Sequence, residues 1–285
     1  MEFTEQFDAA APTHRLVSRS LPGVKDWDEL GGVTVENRAI SVLMDHGTVV
    51  HLGLDPKHGQ FDTVRRELVQ VPDSKCVFVG SDHEFRASLP EDRALVESLL
   101  EIPDGDPAAW TDRLFYFVEF AVLTDQSWLY RSVPHEAHIR EINAEGHKGV
   151  IEKLNETFAQ VRGSAIVPRG GLASWTTDGT AYELQWNSLY RSDRDKSASY
   201  DLERMRQVTA LFSENLLRLD WQPASEESLL DRTVGRVLGP ESAPPPARVE
   251  IPAGEDGERI LDAFRRLREK LGYEYDVETS SDSHL

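Results

Sequence analysis

Residues 172–190 read LASWTTDGTAYELQWNSLY, and this stretch decides the fold class. Tyr182, Leu184 and Trp186 alternate with Glu183, Gln185 and Asn187, the period of two that places successive side chains on opposite faces of a strand. Ahead of them, Asp178-Gly179 is a turn pair: Asp bonds its own backbone and Gly accepts a positive φ. The reading is a β-hairpin with one arm from Leu172 to Thr177 and the other from Thr180 to Tyr190, its aromatic face buried and Glu183 and Gln185 in water. A hairpin among helical patterns, without a regular strand-helix-strand cadence, predicts an α+β fold rather than a doubly wound parallel sheet.

Toward the C-terminus, Met205, Val208, Leu211, Phe212, Leu216 and Leu219 recur at three and four, which predicts a long helix over 200–219, and a shorter one is expected over 226–238. Pro240, Pro244, Pro245, Pro246 and Pro252 make 239–257 an extended spacer. Beyond it, Ile260, Ala263, Phe264, Leu267 and Leu271 form one stripe on a charged helix, and residues 280–285 read as a frayed polar tail.

Toward the N-terminus, 134–163 reads as helical through Ile139, Ile142, Val150, Ile151, Leu154 and Phe158, with Gly146 and Gly149 as places where it can break. Helices are also expected over 107–123, with Trp110, Leu114, Phe117, Val118 and Ala121 on one face, and after Pro90, through Ala94, Leu95, Leu99 and Leu100. Residues 33–54 suit a hairpin turning at Asp45-His46-Gly47, and 63–71 and 76–80 read as extended. The expected organisation is a β-rich portion over 1–90, a mixed helical and hairpin body over 91–238, and a proline-rich linker with a tethered amphipathic helix and polar tail over 239–285.

Fifty acidic residues against 31 basic ones give a formal charge of −19, and the basic side is 24 Arg to 7 Lys. A negative surface field disfavours generic nucleic-acid or membrane binding. The Arg excess suits a high-GC or salt-adapted host, and codon bias accounts for it equally well. The single cysteine, Cys76, precludes an intramolecular disulfide or a thiolate-only zinc cage and reads as a buried strand thiol. Residues 1–15 lack the basic and apolar regions of a signal peptide. The apolar concentration from Leu114 to Leu123 is short of the roughly 20 residues that span a bilayer. A cytoplasmic protein is expected.

No phosphate-binding Gly loop, Gly-x-Ser-x-Gly elbow, His-Glu-x-x-His or calcium loop is present. The strongest chemical candidate is the hairpin itself. A carboxylate-bearing helix with Glu152 or Glu156, then Asp178, then Glu183 and Gln185 on one strand face, then a long helix, resembles the element order of PD-(D/E)xK nucleases. That resemblance implies magnesium held by the carboxylates, with a Lys orienting water. The chain departs from the pattern where Gln185 replaces the Lys and Ala173 stands where an Asp is expected, and Gly179 explains Asp178 as a turn residue.

His135 and His138, with Glu141 or Glu145 a turn on, have the spacing of a zinc or iron site. The set of His46, His51, His58 and His83 has no ligand geometry and reads as turn histidines among loop acids. Arg131 after Trp128-Leu129-Tyr130, with the Ser174–Thr177 strand, is similar to an ADP-ribosyltransferase arrangement but lacks its Glu-x-Glu.

The C-terminal helix, whose Ile260, Phe264, Leu267 and Leu271 can dock on its own domain, a second copy or a partner protein, carries the dense basic run of Arg265, Arg266, Arg268 and Lys270. The leading expectation is a non-catalytic structural or interaction subunit of a larger intracellular or virus-like assembly, without cofactor. The alternative is a divergent magnesium-dependent nuclease.

Overall fold

The structure, a computed structural model, describes residues 10–19, 32–78, 80–100, 117–133, 140–147, 149–194, 196–223 and 244–280. The fold is α+β, and the chain divides into two units between Arg169 and Gly170.

The first unit carries β1 (His14–Ser18), α1 (Gly32–Met44), β2 (Val49–Leu54), α2 (Phe61–Glu67), β3 (Val69–Gln70), β4 (Glu84–Ser88), α3 (Arg93–Leu100), β5 (Phe117–Leu123), β6 (Trp128–Ser132), β7 (Arg140–Ile142), α4 (Val150–Thr157) and β8 (Ser164–Pro168). Its strands form one antiparallel sheet in the order β3-β4-β2-β5-β6-β7-β1-β8. The sheet joins strands from both sides of residue 90, so the N-terminal portion shares its core with the segment that follows it. Helix α1 lies against β1, β5 and β6 and against α3 and α4. Between them, Leu16, Val50, Leu52, Phe85, Phe120, Val122, Tyr130 and Ile142 from the strands meet Val35, Ala39, Ile40, Leu43, Val96, Leu99, Val150 and Leu154 from the helices.

Several segments of this unit differ from the sequence expectation. Residues 33–44 are helical, because Val35, Ala39, Ile40, Leu43 and Met44 make a buried stripe at helical spacing that outweighs the shorter alternation of Ile40, Val42 and Met44. Asp45 and His46 close the end of that helix with backbone bonds to Val42 and Leu43. Most of 63–71 is α2, burying Phe61 and Val64, and 76–78 is a loop after the turn Asp73–Lys75. The run Phe117–Leu123 is a strand. It is paired on both edges and buried on both faces, Phe120 and Val122 under the helices and Ala121 and Leu123 on the other side. Such a strand shows no alternation and cannot be told from a helix by periodicity. Helix α3 forms as expected, but of the stretch 134–163 read as helical, Arg140–Ile142 is strand β7, and α4 follows Gly149, whose φ is 88°.

The second unit carries β9 (Ala173–Thr177), β10 (Thr180–Leu184), β11 (Ser188–Ser192), β12 (Ser197–Asp201), β13 (Met205–Leu211), β14 (Leu216–Trp221), β15 (Arg248–Glu250), α5 (Glu255–Leu271) and β16 (Asp276–Thr279). The expected hairpin is present as β9 and β10. Thr177 pairs with Thr180, and Asp178 and Gly179 both have positive φ, 48° and 79°, the two-residue turn that matches strand twist. The second arm turns again after Leu184 into β11, giving a sheet ordered β12-β11-β10-β9.

The long helix expected over 200–219 is instead β12, β13 and β14. Its three-residue spacing from Met205 to Val208 comes from a β-bulge between Met205 and Gln207, which keeps both side chains on the buried face. Asn215, at φ 52°, turns the chain into β14, where Leu217 and Leu219 alternate inward. The proline-rich segment is also partly a strand: β15 pairs with β14, and Trp221 Nε1 donates to the Pro246 carbonyl at 2.8 Å. The expected helix over 226–238 and the start of the linker lie outside the described residues.

Helix α5 begins with Glu255, Asp256 and Glu258 and ends with Arg268 and Lys270, each sign at the favourable end of the helix dipole. Gly272 in the left-handed conformation caps it, donating to the Arg268 carbonyl. Its apolar stripe is interior: Ile260, Phe264, Leu267 and Leu271 are at most 3% exposed. The helix is therefore a core element of the second unit, and of the readings the sequence allowed, those four residues take the one in which the stripe packs within its own chain and not on a partner. Tyr275, edge-on to Phe264, donates its hydroxyl to the Phe264 carbonyl.

Replacing Phe264 by Ala removes a ring that touches no solvent and is expected to cost about 3–5 kcal/mol. Thermal unfolding followed by circular dichroism checks this, since a ring serving only as an external contact would leave the midpoint unchanged.

Candidate functional site

The residues suggested by sequence are distributed over both units. Glu183 is half-buried on β10, and Gln185 Nε2 donates to its Oε1 at 3.0 Å. Gly171 lies against the same acid, where an added Cβ would come within 2.9 Å of Glu183 Cγ. On the other face Leu184 is buried and Tyr182 stacks on Trp175, with ring centroids 5.4 Å apart. Asp178 stays in the turn at the far end of β10, and Glu152 stands in the first turn of α4 in the first unit. Glu156 pairs with Lys153 in solvent. Among the described residues no three His, Cys, Asp or Glu side chains are placed to hold a metal ion. His135 and His138 lie outside the described residues.

The polar groups that are organised lie on the eight-stranded sheet, and the sequence signalled them only as polar residues inside apolar runs. On β2, His51 sits in VVHLGL, and alternation turns it away from the helices. Its Nε2 lies 2.6 Å from Glu84 Oε2 on β4, with both side chains fully buried. It is a central-strand residue, in the extended arm expected after the turn at Asp45-His46-Gly47 and not one of a set of turn histidines. The Glu84 carboxylate also accepts the backbone N–H groups of Val77, at 3.0 and 2.9 Å, and Phe78, at 2.7 Å. These bonds hold the 76–78 loop over the sheet, with the Phe78 ring edge-on to His51. Gly53 permits the approach, since a Cβ there would meet Phe78 and Ser81 at 2.9 Å. Burial pushes the His51 imidazole below its ordinary value, against Glu84, which favours the charged form, and with Arg86, which opposes it. Burial likewise pushes the Cys76 thiol up, helped by Glu84, Asp73 and Asp82, which disfavours a thiolate nucleophile.

Cross-strand pairing continues this face as a row from His51 through Ala121 and Arg131 to Glu141 and Arg15. Arg131 donates through Nε and Nη2 to Glu119 Oε1 at 2.9 and 2.6 Å, and Glu141 is paired with Arg169 and lies 3.7 Å from Arg15. Burial raises the Glu119 carboxyl, Arg131 works against that rise, and Glu84 and Glu141 add to it.

No family model, no curated protein and no solved structure matches this chain. The reading of the site therefore rests on its own geometry.

On the helix-covered face, Glu36 of α1 receives the Tyr130 hydroxyl at 2.8 Å on one oxygen and Arg140 Nε at 3.1 Å on the other, and all three side chains are buried. Burial, with Glu36 adjacent, holds the Tyr130 phenol well above its ordinary value, so it stays a donor. Glu36 and Arg140 are 104 positions apart in the chain, and no local spacing announces the pair. Both constellations are closed: each buried charge meets a partner, as interior charges require.

Replacing Glu84 by Gln puts an amide NH2 among backbone donors and is expected to cost about 2–4 kcal/mol in denaturant unfolding. His51 adds a pH dependence. With its folded value below 6.5, the unfolded chain binds a proton first on acidification, so this contribution is complete above pH 6.5 and fades as pH falls toward the folded value. His51→Gln is expected to flatten the loss of stability between about pH 7 and 5, and an unchanged slope contradicts the assignment.

Proposed function

We propose that the chain is a non-catalytic structural or interaction component of a larger assembly. The observation that carries this reading is the use made of Glu183. The acid best placed by sequence for chemistry takes a hydrogen bond from Gln185 and packs on Gly171, while its strand turns Leu184 into the interior. That is the behaviour of a strand whose residues are spent on its own fold. The closed pairs His51–Glu84 and Glu36–Arg140 support the same reading.

With the apolar stripe of α5 used inside its unit, partner contact falls to the polar side of that helix. Arg259 and Arg266 stand in solvent there. Arg259 is only 3.3 Å from Asp256, but an exposed pair of this kind costs little to exchange for a partner's carboxylate. The partner is thus a protein, or a second copy, presenting an acidic surface. No helix among the described residues is long and apolar enough to cross a membrane.

Two measurements test the proposal. Purified full-length protein incubated with magnesium and DNA or RNA is expected to leave the nucleic acid intact, and Glu183→Ala is expected to change nothing. Magnesium-dependent cleavage that disappears in Glu183→Ala sinks the non-catalytic reading. A partner captured by the tagged chain from its own host is expected to bind the Arg259→Glu/Arg266→Glu variant about tenfold more weakly or worse, with unchanged thermal unfolding. Equal binding removes α5 from the interface.

A further inference from the structure

Helix α5 is electrically neutral, with five acidic and five basic residues between Glu255 and Leu271, in a chain of charge −19. Two acidic molecules can therefore meet on it without the repulsion that a net negative surface imposes. Its charges are also ordered. Glu255, Arg259, Asp262 and Arg266 follow one another at spacings of four, three and four, which sets them in one row along the helix. All four are exposed, on the side away from Ile260, Phe264, Leu267 and Leu271.

The row alternates negative, positive, negative, positive, and its spacing is the same read from either end. Reversing its direction inverts every sign, so that Glu255 falls opposite Arg266 and Arg259 opposite Asp262. A row with that property is complementary to an antiparallel copy of itself. About a two-fold axis at the level of Ile260 and Leu261, each of those pairings is made twice. The spacing suits ion pairs along a single helix equally well, but the pairs formed run across the row. Arg259 reaches Asp256 at 3.3 Å, and Arg265 reaches Asp262 at 2.9 Å. Such exposed pairs exchange at little cost, and Arg265 keeps a bond to the Thr279 hydroxyl when Asp262 turns away. Glu255 and Arg266, the outer members, form no ion pair among the described residues.

We propose that the outer face of α5 is a self-recognition surface, on which the same helix of a second copy docks antiparallel about a two-fold axis. The inference rests on the reading of the chain as an interaction component, and it names the second copy as the source of the acidic surface that Arg259 and Arg266 meet. Three turns of polar helix make a small interface, so the association is weak and reversible. Its specificity lies in direction and register. A parallel copy in register sets like charges opposite each other throughout, and an antiparallel copy displaced by one turn sets Arg259 against Arg266 or Glu255 against Asp262.

Sedimentation equilibrium of the full chain tests it at about 0.15 M salt, where screening over roughly 8 Å quiets charges far from the contact. Arg259→Glu/Arg266→Glu makes the row wholly acidic, and Glu255→Arg/Asp262→Arg makes it wholly basic. The parent is expected to self-associate, each variant alone to do so at least about tenfold more weakly, and an equal mixture of the two to associate at least as strongly as the parent. Basic residues in the first turn oppose the helix dipole, so Glu255→Gln/Asp262→Asn is measured beside them and is also expected to associate more weakly than the parent. Thermal unfolding checks that each variant is folded. A parent that stays monomeric, or self-association unchanged by Arg259→Glu/Arg266→Glu, overturns the proposal, as does a mixture of folded variants that fails to associate. The wider reading of an acidic partner fails separately, since Glu255→Arg/Asp262→Arg weakens docking of a second copy but strengthens binding to any other acidic protein.

Discussion

Strands β2 and β5 are covered on both faces, and that constraint governs the first unit. A strand at the centre of a sheet has its backbone paired on each side. If helices cover one face and a loop the other, every polar side chain it carries must find a partner indoors or pay the cost of dehydration. His51 is such a side chain. Its answer is Glu84 on the neighbouring strand, and Glu84 in turn draws in the backbone of Val77 and Phe78. One buried carboxylate thus joins two strands and the loop that shields them.

The helix-covered face meets the same requirement differently. Glu36 reaches from α1 to Tyr130 on β6 and Arg140 on β7, tying the helix to the sheet through directional bonds within an otherwise apolar layer. Apolar packing by itself allows a helix to slide or rotate on a sheet. An ion pair with one good geometry penalises those alternatives, a role in specificity more than in net stability.

In the second unit the organising element is α5, placed against its own strands by Ile260, Phe264, Leu267 and Leu271. A stripe of this kind has the same appearance whether its partner is the same chain or another one. What differs is the company it keeps. Gly257 lets the helix come close to the Pro252 carbonyl, where a Cβ would sit 2.5 Å away, and the Tyr275 hydroxyl reaches its backbone. Those features belong to a helix built into its unit.

By itself the sequence determined the elements whose signals are local. The β9–β10 turn was legible because Asp-Gly favours positive φ at both positions, and α3 and α5 because their apolar residues repeat at helical spacing over several turns. Tertiary structure decided the rest. The bulge at Met205 gave β13 a helical spacing, burial on both faces hid the period of β5, and α1 carried an alternation too short to matter beside its longer stripe. The site was less legible still: Glu36 and Arg140, or His51 and Glu84, become partners only when distant strands pair, since the free energy that selects them is that of burying charge in company, which no neighbouring residue encodes.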